Sequence, residues 1–233
     1  MIPNEGSMLF RRTKTEHLDD CVWATAKLKL DGICREIAEA SGRYSMIITA
    51  AHDEKTLEKL KARFAGAGIR FLFWDTLPSV SDFDFARLAG GGTQTILVPS
   101  RLASEARKIA PLLRLGNLFG RADDDLRLFF IVAERAMLHA QDRELSTFAE
   151  SLPWRATVRF HVSMEDPLLH DATVPDRIVA LMKSLGWDEK GSFSHPSVTD
   201  LITVAQKYQK TGASAEKRST ALIGARTRSR KTP

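Results

Sequence analysis

His161, Glu165, Asp166 and His170 fall within the stretch "HVSMEDPLLH", a density of metal-ligating side chains that raises the question of a divalent cation. A metal site needs its histidines on one face of one element. His161 instead lies in a β-favouring run and His170 follows a proline, so structural or surface roles are expected for both. Gly90, Gly91 and Gly92 in "LAGGGTQTILV" offer a second chemistry, because consecutive glycines can bring backbone N–H groups up to a phosphate. A phosphate loop follows a strand and opens a helix, whereas these glycines precede a strand, and no GxxxxGK[ST] stretch occurs anywhere. A plain turn is the expectation. There is no GxSxG nucleophile elbow and no HExxH zinc helix. Cys21 and Cys34 make no CxxC pair and are too few for a zinc site or a disulfide framework, which points to reduced thiols.

The elements that must position these residues alternate in type. "TAKLKLDGICREIAEAS" spaces Leu28, Leu30, Ile33, Cys34 and Ile37 as a helix face, stopped by Ser41 and Gly42. "YSMIITAA" is a short β-favouring run. "HDEKTLEKLKARFAGAG" returns to helical spacing through Leu57, Leu60 and Phe64, with Asp53 as N-cap and Gly66 and Gly68 as the end. "IRFLFW", "TQTILV", "LRLFFIVA" and "ATVRFHVS" read as further strands, separated by helices in "DFDFARLAGGG", "SRLASEARKIAPLL" and "ERAMLHAQDRELSTFAES". Apolar strands alternating with helices predict an α/β domain built on a mostly parallel sheet with helices on both faces. "VPDRIVALMKSLGW" and "HPSVTDLITVAQKYQK" then add two helices with no strand after them. The expected organisation is an irregular N-terminal extension over 1–19, an α/β domain over 20–166, a helical appendage over 167–210 and a basic flexible tail over 211–233.

At 233 residues and 43% apolar content the chain can bury one sizeable core. No run of 18 apolar residues exists, and "MIPNEGSMLFRRTKTEHLDD" lacks the apolar centre of a signal peptide, so a soluble, cytoplasmic protein is expected. The net charge of +5 is unevenly placed. From Lys207 onward there are eight basic residues against Glu216 alone, which leaves 26 basic and 28 acidic residues before that point. The body is mildly acidic, and Arg226, Arg228, Arg230 and Lys231 in the tail are the candidate anion-binding residues.

One longer stretch carries a resemblance. "LRLFFIVAERAMLHAQDRELSTFAESLPWRATVRFHVSMED" resembles, without a gap, the end of the second RecA-like (helicase C-terminal-like) motor domain of the SecA preprotein translocase ATPase family. Matching positions include Glu134, Arg135, Asp142, Leu145, Arg159, Phe160, Ser163, Glu165 and Asp166. Downstream, "DRIVALMKSLGWDEKGSFSHPSVTDLITVAQKYQK" is similar to the family through His195, Pro196, Val198, Ile202, Ala205 and Gln206, and upstream "VWATAKLKLDGICREI" matches it through Val22, Thr25, Lys29 and Ile37. The resemblance covers about residues 20 to 210 and implies a RecA-like sheet with a helical appendage.

In such motors ATP lies between two lobes, the first supplying the phosphate loop and the second the arginines that stabilise charge on the γ-phosphate. No stretch of this sequence resembles the first lobe, and its absence is the expectation. Where the family has the arginines of LRGRSGRQ, the ungapped match places Ser146, Phe148 and Ser151, none of which offers a guanidinium. A second nucleotide-facing loop corresponds to Leu102, Ala103, Ser104 and Glu105 in place of Gly-Arg-Gly-Thr. Losing an arginine finger alone costs on the order of 10³ to 10⁵ in rate.

The leading expectation is therefore a non-catalytic, SecA-like pseudo-ATPase domain acting as a protein-binding adaptor or accessory subunit, with no catalytic residue, cofactor or metal. Half of a split motor, completed in trans by a chain with a phosphate loop, is the enzyme alternative; nucleic-acid or anionic-membrane binding through the tail is a third. The candidate partner surface, for another protein or a second copy, is the former ATP cleft, where Leu102, Phe148, Leu152 and Trp154 are apolar. The competing expectation is that Phe148 and Trp154 fill a core emptied of arginines.

Overall fold

The computed structural model describes residues 15–76, 91–105, 127–151, 155–169 and 174–209. Seven strands make up the sheet: β1 (Glu16–His17), β2 (Cys21–Trp23), β3 (Met46–Ala51), β4 (Leu72–Phe73), β5 (Gln94–Pro99), β6 (Arg127–Val132) and β7 (Arg155–Ser163). The helices are α1 (Ala26–Ala40), α2 (Glu54–Gly66), α3 (His139–Ser151), α4 (Val174–Ser184) and α5 (Pro196–Gln209). The order is β1-β7-β6-β3-β5-β4, with β2 also paired to β7, and every pairing between these strands is parallel. The α/β class and the parallel sheet expected from the alternating pattern are thus observed.

β3 and β5 are buried at every residue, as unpatterned apolar strands must be when both faces are covered. Alternation within β3 then assigns the faces. Met46, Ile48 and Ala50 meet Phe130 and Val132 of β6 and the inner side of α3, while Ile47 and Ala51 meet α1 and α2 through Ile33, Ile37, Leu57, Leu60 and Phe64. α1 carries Gly32 in its middle because the Trp23 ring lies against it: a Cβ there would fall 2.1 Å from that ring. A third apolar cluster holds the appendage, packing Ile178 and Met182 of α4 and Val198 and Ile202 of α5 on Val22 and Val162.

Several expectations are corrected. The irregular N-terminal extension contributes β1, which pairs Glu16 and His17 with Thr157 and Val158; β2 pairs farther along the same strand. "CVW" is three residues long, too short to show a period. "IRFLFW" keeps strand pairing only at Leu72 and Phe73. The helix expected from Glu134 begins at His139, because the Ala136 N–H is taken by Asp142 and its carbonyl by Gln206. "SRLASE" is a 3-10 turn, and the helices expected at "DFDFARLAG" and beyond Glu105 lie outside the described residues.

The glycine turn before β5 sits at the N-terminal edge of the sheet. Gly91 has φ +79, and Thr93 ties the turn down by accepting from the Gly42 N–H (2.8 Å) and donating to the Tyr44 carbonyl (2.7 Å). Ligands of parallel α/β sheets bind at the opposite, C-terminal edge. The expected plain turn fits this placement.

Candidate functional site at the sheet switch point

From β3 the chain crosses through α2 toward β4 and β5, and from β6 it crosses through α3 toward β7 on the other side and the other face. The C-terminal ends of β3 and β6 are therefore the point where the winding reverses, the place where such sheets hold ligands. His52 and Asp53 follow β3 there, and Glu134, Arg135 and Ala136 follow β6.

Glu134 does not face solvent or start its own helix. Its carboxylate accepts from the Asp53 N–H and the Thr56 hydroxyl, both at 2.6 Å, and so sits on the N-terminus of α2. Asp53 holds the N-cap position, but its side chain makes no capping bond; Glu134 instead holds the Asp53 N–H and the Thr56 hydroxyl at the head of the helix. The first-turn N–H groups of a helix following a parallel strand are a ready anion site, and Glu134 places a carboxylate of the chain itself beside this one.

Arg135 joins three elements. Its Nε and Nη2 donate to Asp20 (3.0 and 2.5 Å), its Nη1 donates to Asp142 of α3 (3.1 Å), and its guanidinium lies 3.7 Å over the Phe160 ring of β7. The break between β1 and β2 is what puts Asp20 within reach, and Asp20 is fully buried. Asp142 also accepts from the Ala136 N–H (2.9 Å) and Gln206 Nε2 (2.6 Å), and pairs with His52 Nε2 at 3.1 Å. Burial opposes charge on Asp142, but His52, Arg135, Ala136 and Gln206 together hold its pKa below the ordinary carboxylate value. Burial is the dominant influence on Asp20 and lifts its pKa despite Arg135. The Arg135 pKa rises against its own burial, because Asp20 and Asp142 flank it. Gln206 links α5 to this hub, and the Asp20 N–H donates to Thr199 Oγ1 of the same helix at 2.8 Å.

The other positions shared with the resembling family are also spent on joining elements. Arg159 pairs with Glu36 of α1 at 2.6 Å, and Glu165 accepts from the Ala26 N–H at the start of α1. Asp166 takes both of its oxygens to Lys29 (2.7 and 2.8 Å) and also accepts from the Ser163 N–H and hydroxyl, a buried pair whose partners complete each other. His195 accepts from the Ser197 N–H through Nδ1, and Pro196 is the first residue of α5, where a missing N–H costs nothing.

His161 is buried inside this framework, between Trp23 and Glu36. The Trp23 indole donates to Nδ1 at 3.1 Å and the Glu36 carboxylate lies 2.7 Å from Nε2. Burial opposes a charge on the ring, but the Cys21 thiol and Glu36 outweigh it and raise the pKa to about 8. The indole contact favours the neutral ring, since Nδ1 must offer a lone pair to accept it. Among the described residues no group of three or more His, Cys, Asp or Glu side chains could hold a metal ion. His170 lies outside them. Cys21 and Cys34 are both buried free thiols, and burial raises the Cys34 pKa.

The candidate partner surface is corrected in part. Leu102 is 6% exposed and Phe148 5% exposed; both belong to the core beneath α3, with Phe148 edge-on to Phe130 at 5.6 Å. Phe148 faces inward because Leu145 and Ala149 on the same helical side are drawn to the apolar face of β3 and β6. Leu102 and Phe148 line, with Ile48, Trp74, Val98, Phe130 and Leu145, a cavity of about 10 Å³, too small for a nucleotide or a side chain of a partner. Leu152 and Trp154 lie outside the described residues, as do Arg226, Arg228, Arg230 and Lys231. Asp20, His52 and Glu36 were not singled out from sequence; the one signal available was a charged or titratable residue at the edge of an apolar run.

No family model matches the sequence, and no curated protein does. Among solved structures the chain is similar to the C-terminal part of the Fun30 ATPase domain, at 10% identity and a TM-score of 0.40. The likeness covers 78% of this chain and 54% of that one, so the chain spans about half the length of the structure it matches. No helix among the described residues is long and apolar enough to cross a membrane.

Proposed function

We propose that this chain is a non-catalytic, SecA-like pseudo-ATPase domain with a RecA-like sheet, which serves as a protein-binding adaptor or accessory subunit and neither binds nor hydrolyses ATP. The observation that carries the reading is the Glu134 carboxylate seated on the N-terminus of α2 at the switch point. A nucleotide phosphate placed there would meet a fixed negative charge where it needs free N–H donors. Arg135, the guanidinium nearest this position in the sequence, is supported in the same role: both of its edges are committed to Asp20 and Asp142. A split motor completed in trans would need an uncommitted guanidinium here, and the pairing of Arg135 with Asp20 and Asp142 favours the non-catalytic reading over it.

Calorimetric titration of the whole protein with magnesium-ATP tests the reading. No heat of binding is expected at millimolar nucleotide; micromolar affinity would overturn it. ATPase activity appearing only with a co-purified chain that carries a phosphate loop would replace it with the split motor.

A further inference from the structure

The outer sides of α1 and α2 enclose an open depression of about 250 Å³ lined by Ala26, Lys27, Leu30, Asp31, Lys59 and Arg63. Its floor is apolar: Leu30 is half-buried on the core below, and the stems of the basic residues complete the wall. Its rim is cationic. Asp31 is the one carboxylate among the lining residues, and it is shared between Lys27 (3.1 Å) and Arg63 (2.5 Å), which leaves three cations facing a single anion.

The sequence of α2 sharpens this imbalance. Lys55, Lys59 and Arg63 recur every fourth residue, so they line one side of the helix and make two like-charge neighbours in a row. Such pairs disfavour a helix, and the opposite order, acid against base, would have favoured it. Glu58, by contrast, is paired with Lys61 on another side of the helix. A stripe of excess positive charge beside an apolar floor is complementary to a ligand that brings carboxylates on either side of an apolar group.

We propose that this α1–α2 depression docks an acidic peptide segment of a partner protein, with an aliphatic side chain over Leu30 and flanking carboxylates on Lys59, Arg63 and Lys27. The site is formed by the outward faces of two helices and uses none of the switch-point residues. Its failure would leave the ATP titration above unaffected, and a failed ATP titration would leave this surface standing.

Fluorescence anisotropy with a fluorescein-labelled peptide, a leucine flanked by glutamates, tests the proposal on the full chain. Binding should weaken at least tenfold in Lys59→Glu, whose exposed side chain can change without disturbing the core, as circular dichroism would verify. It should weaken similarly when the glutamates become glutamines or the leucine becomes serine. Binding unchanged by Lys59→Glu would put the peptide elsewhere, for instance on the basic residues beyond Lys207, and overturn the proposal. Equal binding of the glutamine or serine peptide would overturn it too, as would a single-stranded oligonucleotide that bound more tightly than the peptide and lost its binding in Lys59→Glu.

Discussion

The two sides of the switch point treat the same problem in different ways. Under α3 the surface of the sheet is apolar and packed: Phe148 closes on Phe130, and Leu102 joins the same core. Between β3, β6 and the appendage, charge is kept, but each group is paired within the chain: Glu134 with the α2 N-terminus, and Arg135 with Asp20 and Asp142. The first solution removes polar groups; the second neutralises them in place. What this teaches is that a charged residue at a switch point need not await a ligand, because Glu134 and Arg135 are bonded to groups of the chain itself.

The charged side should be the more costly to break. Arg135→Ala leaves Asp20 buried without its partner, and removing one member of a buried pair typically costs about 3–5 kcal/mol, read as a lower urea midpoint. Replacing both, as Arg135→Met with Asp20→Leu, should recover much of that loss. If Arg135→Ala cost less than about 1 kcal/mol, the hub would be wet and Arg135 available for other work.

The apolar side comes next. Phe148→Ala should cost about 3 kcal/mol, since it adds a ring-sized void to a space that already holds a cavity of about 10 Å³. Phe148→Leu should cost about 1 kcal/mol. A near-neutral Phe148→Ala would return this residue to the surface and restore the docking role expected for it from sequence.

The centre of the sheet was legible from sequence because β3 and β6 are mostly apolar and its helices have a clear period; Ile47, Ile48 and Ile131 announce themselves. β1 was not, since Glu16 and His17 are exposed and only their pairing with β7 makes them a strand. At the site, Glu134 and Arg135 could be singled out by their order in a resembling stretch, but not their partners. Asp20 lies 115 residues from Arg135, and nothing local in "HLDD" distinguishes the buried aspartate from its neighbour Asp19. Phe148 was legible as apolar, yet the choice between core and surface depended on which way α3 turned, and that is decided by β3 and β6 rather than by α3 alone.

A pH series separates the hub from the buried histidine. With its pKa raised from 6.5 to about 8, His161 contributes on the order of 2 kcal/mol of stability that is fully present below pH 6.5 and is lost as pH rises through 8. Asp142 and Glu36, both lowered, act in the opposite direction: their contribution is present above the ordinary carboxylate range and is lost in acid. Unfolding midpoints should therefore fall between pH 6.5 and 8 in the wild type and flatten in His161→Gln. A wild-type profile already flat in that window would mean that His161 stays neutral, keeping the Trp23 indole on Nδ1.

The smallest effect bears most directly on function. Glu134→Ala removes the acceptor for the Asp53 N–H and the Thr56 hydroxyl, and losing such hydrogen bonds at a site that water can reach costs about 1 kcal/mol. That change also removes the carboxylate from the head of α2. Added inorganic phosphate should then raise the melting temperature of Glu134→Ala more than that of the wild type, because the variant frees the Asp53 N–H and the Thr56 hydroxyl and takes away the negative charge that repels an anion there. Equal responses would mean that Glu134 does not occupy a phosphate position, and the contrast between the paired and the packed side of the crevice would lose its functional meaning. A larger response in the variant would identify Glu134 as the group that stands where a phosphate would otherwise bind.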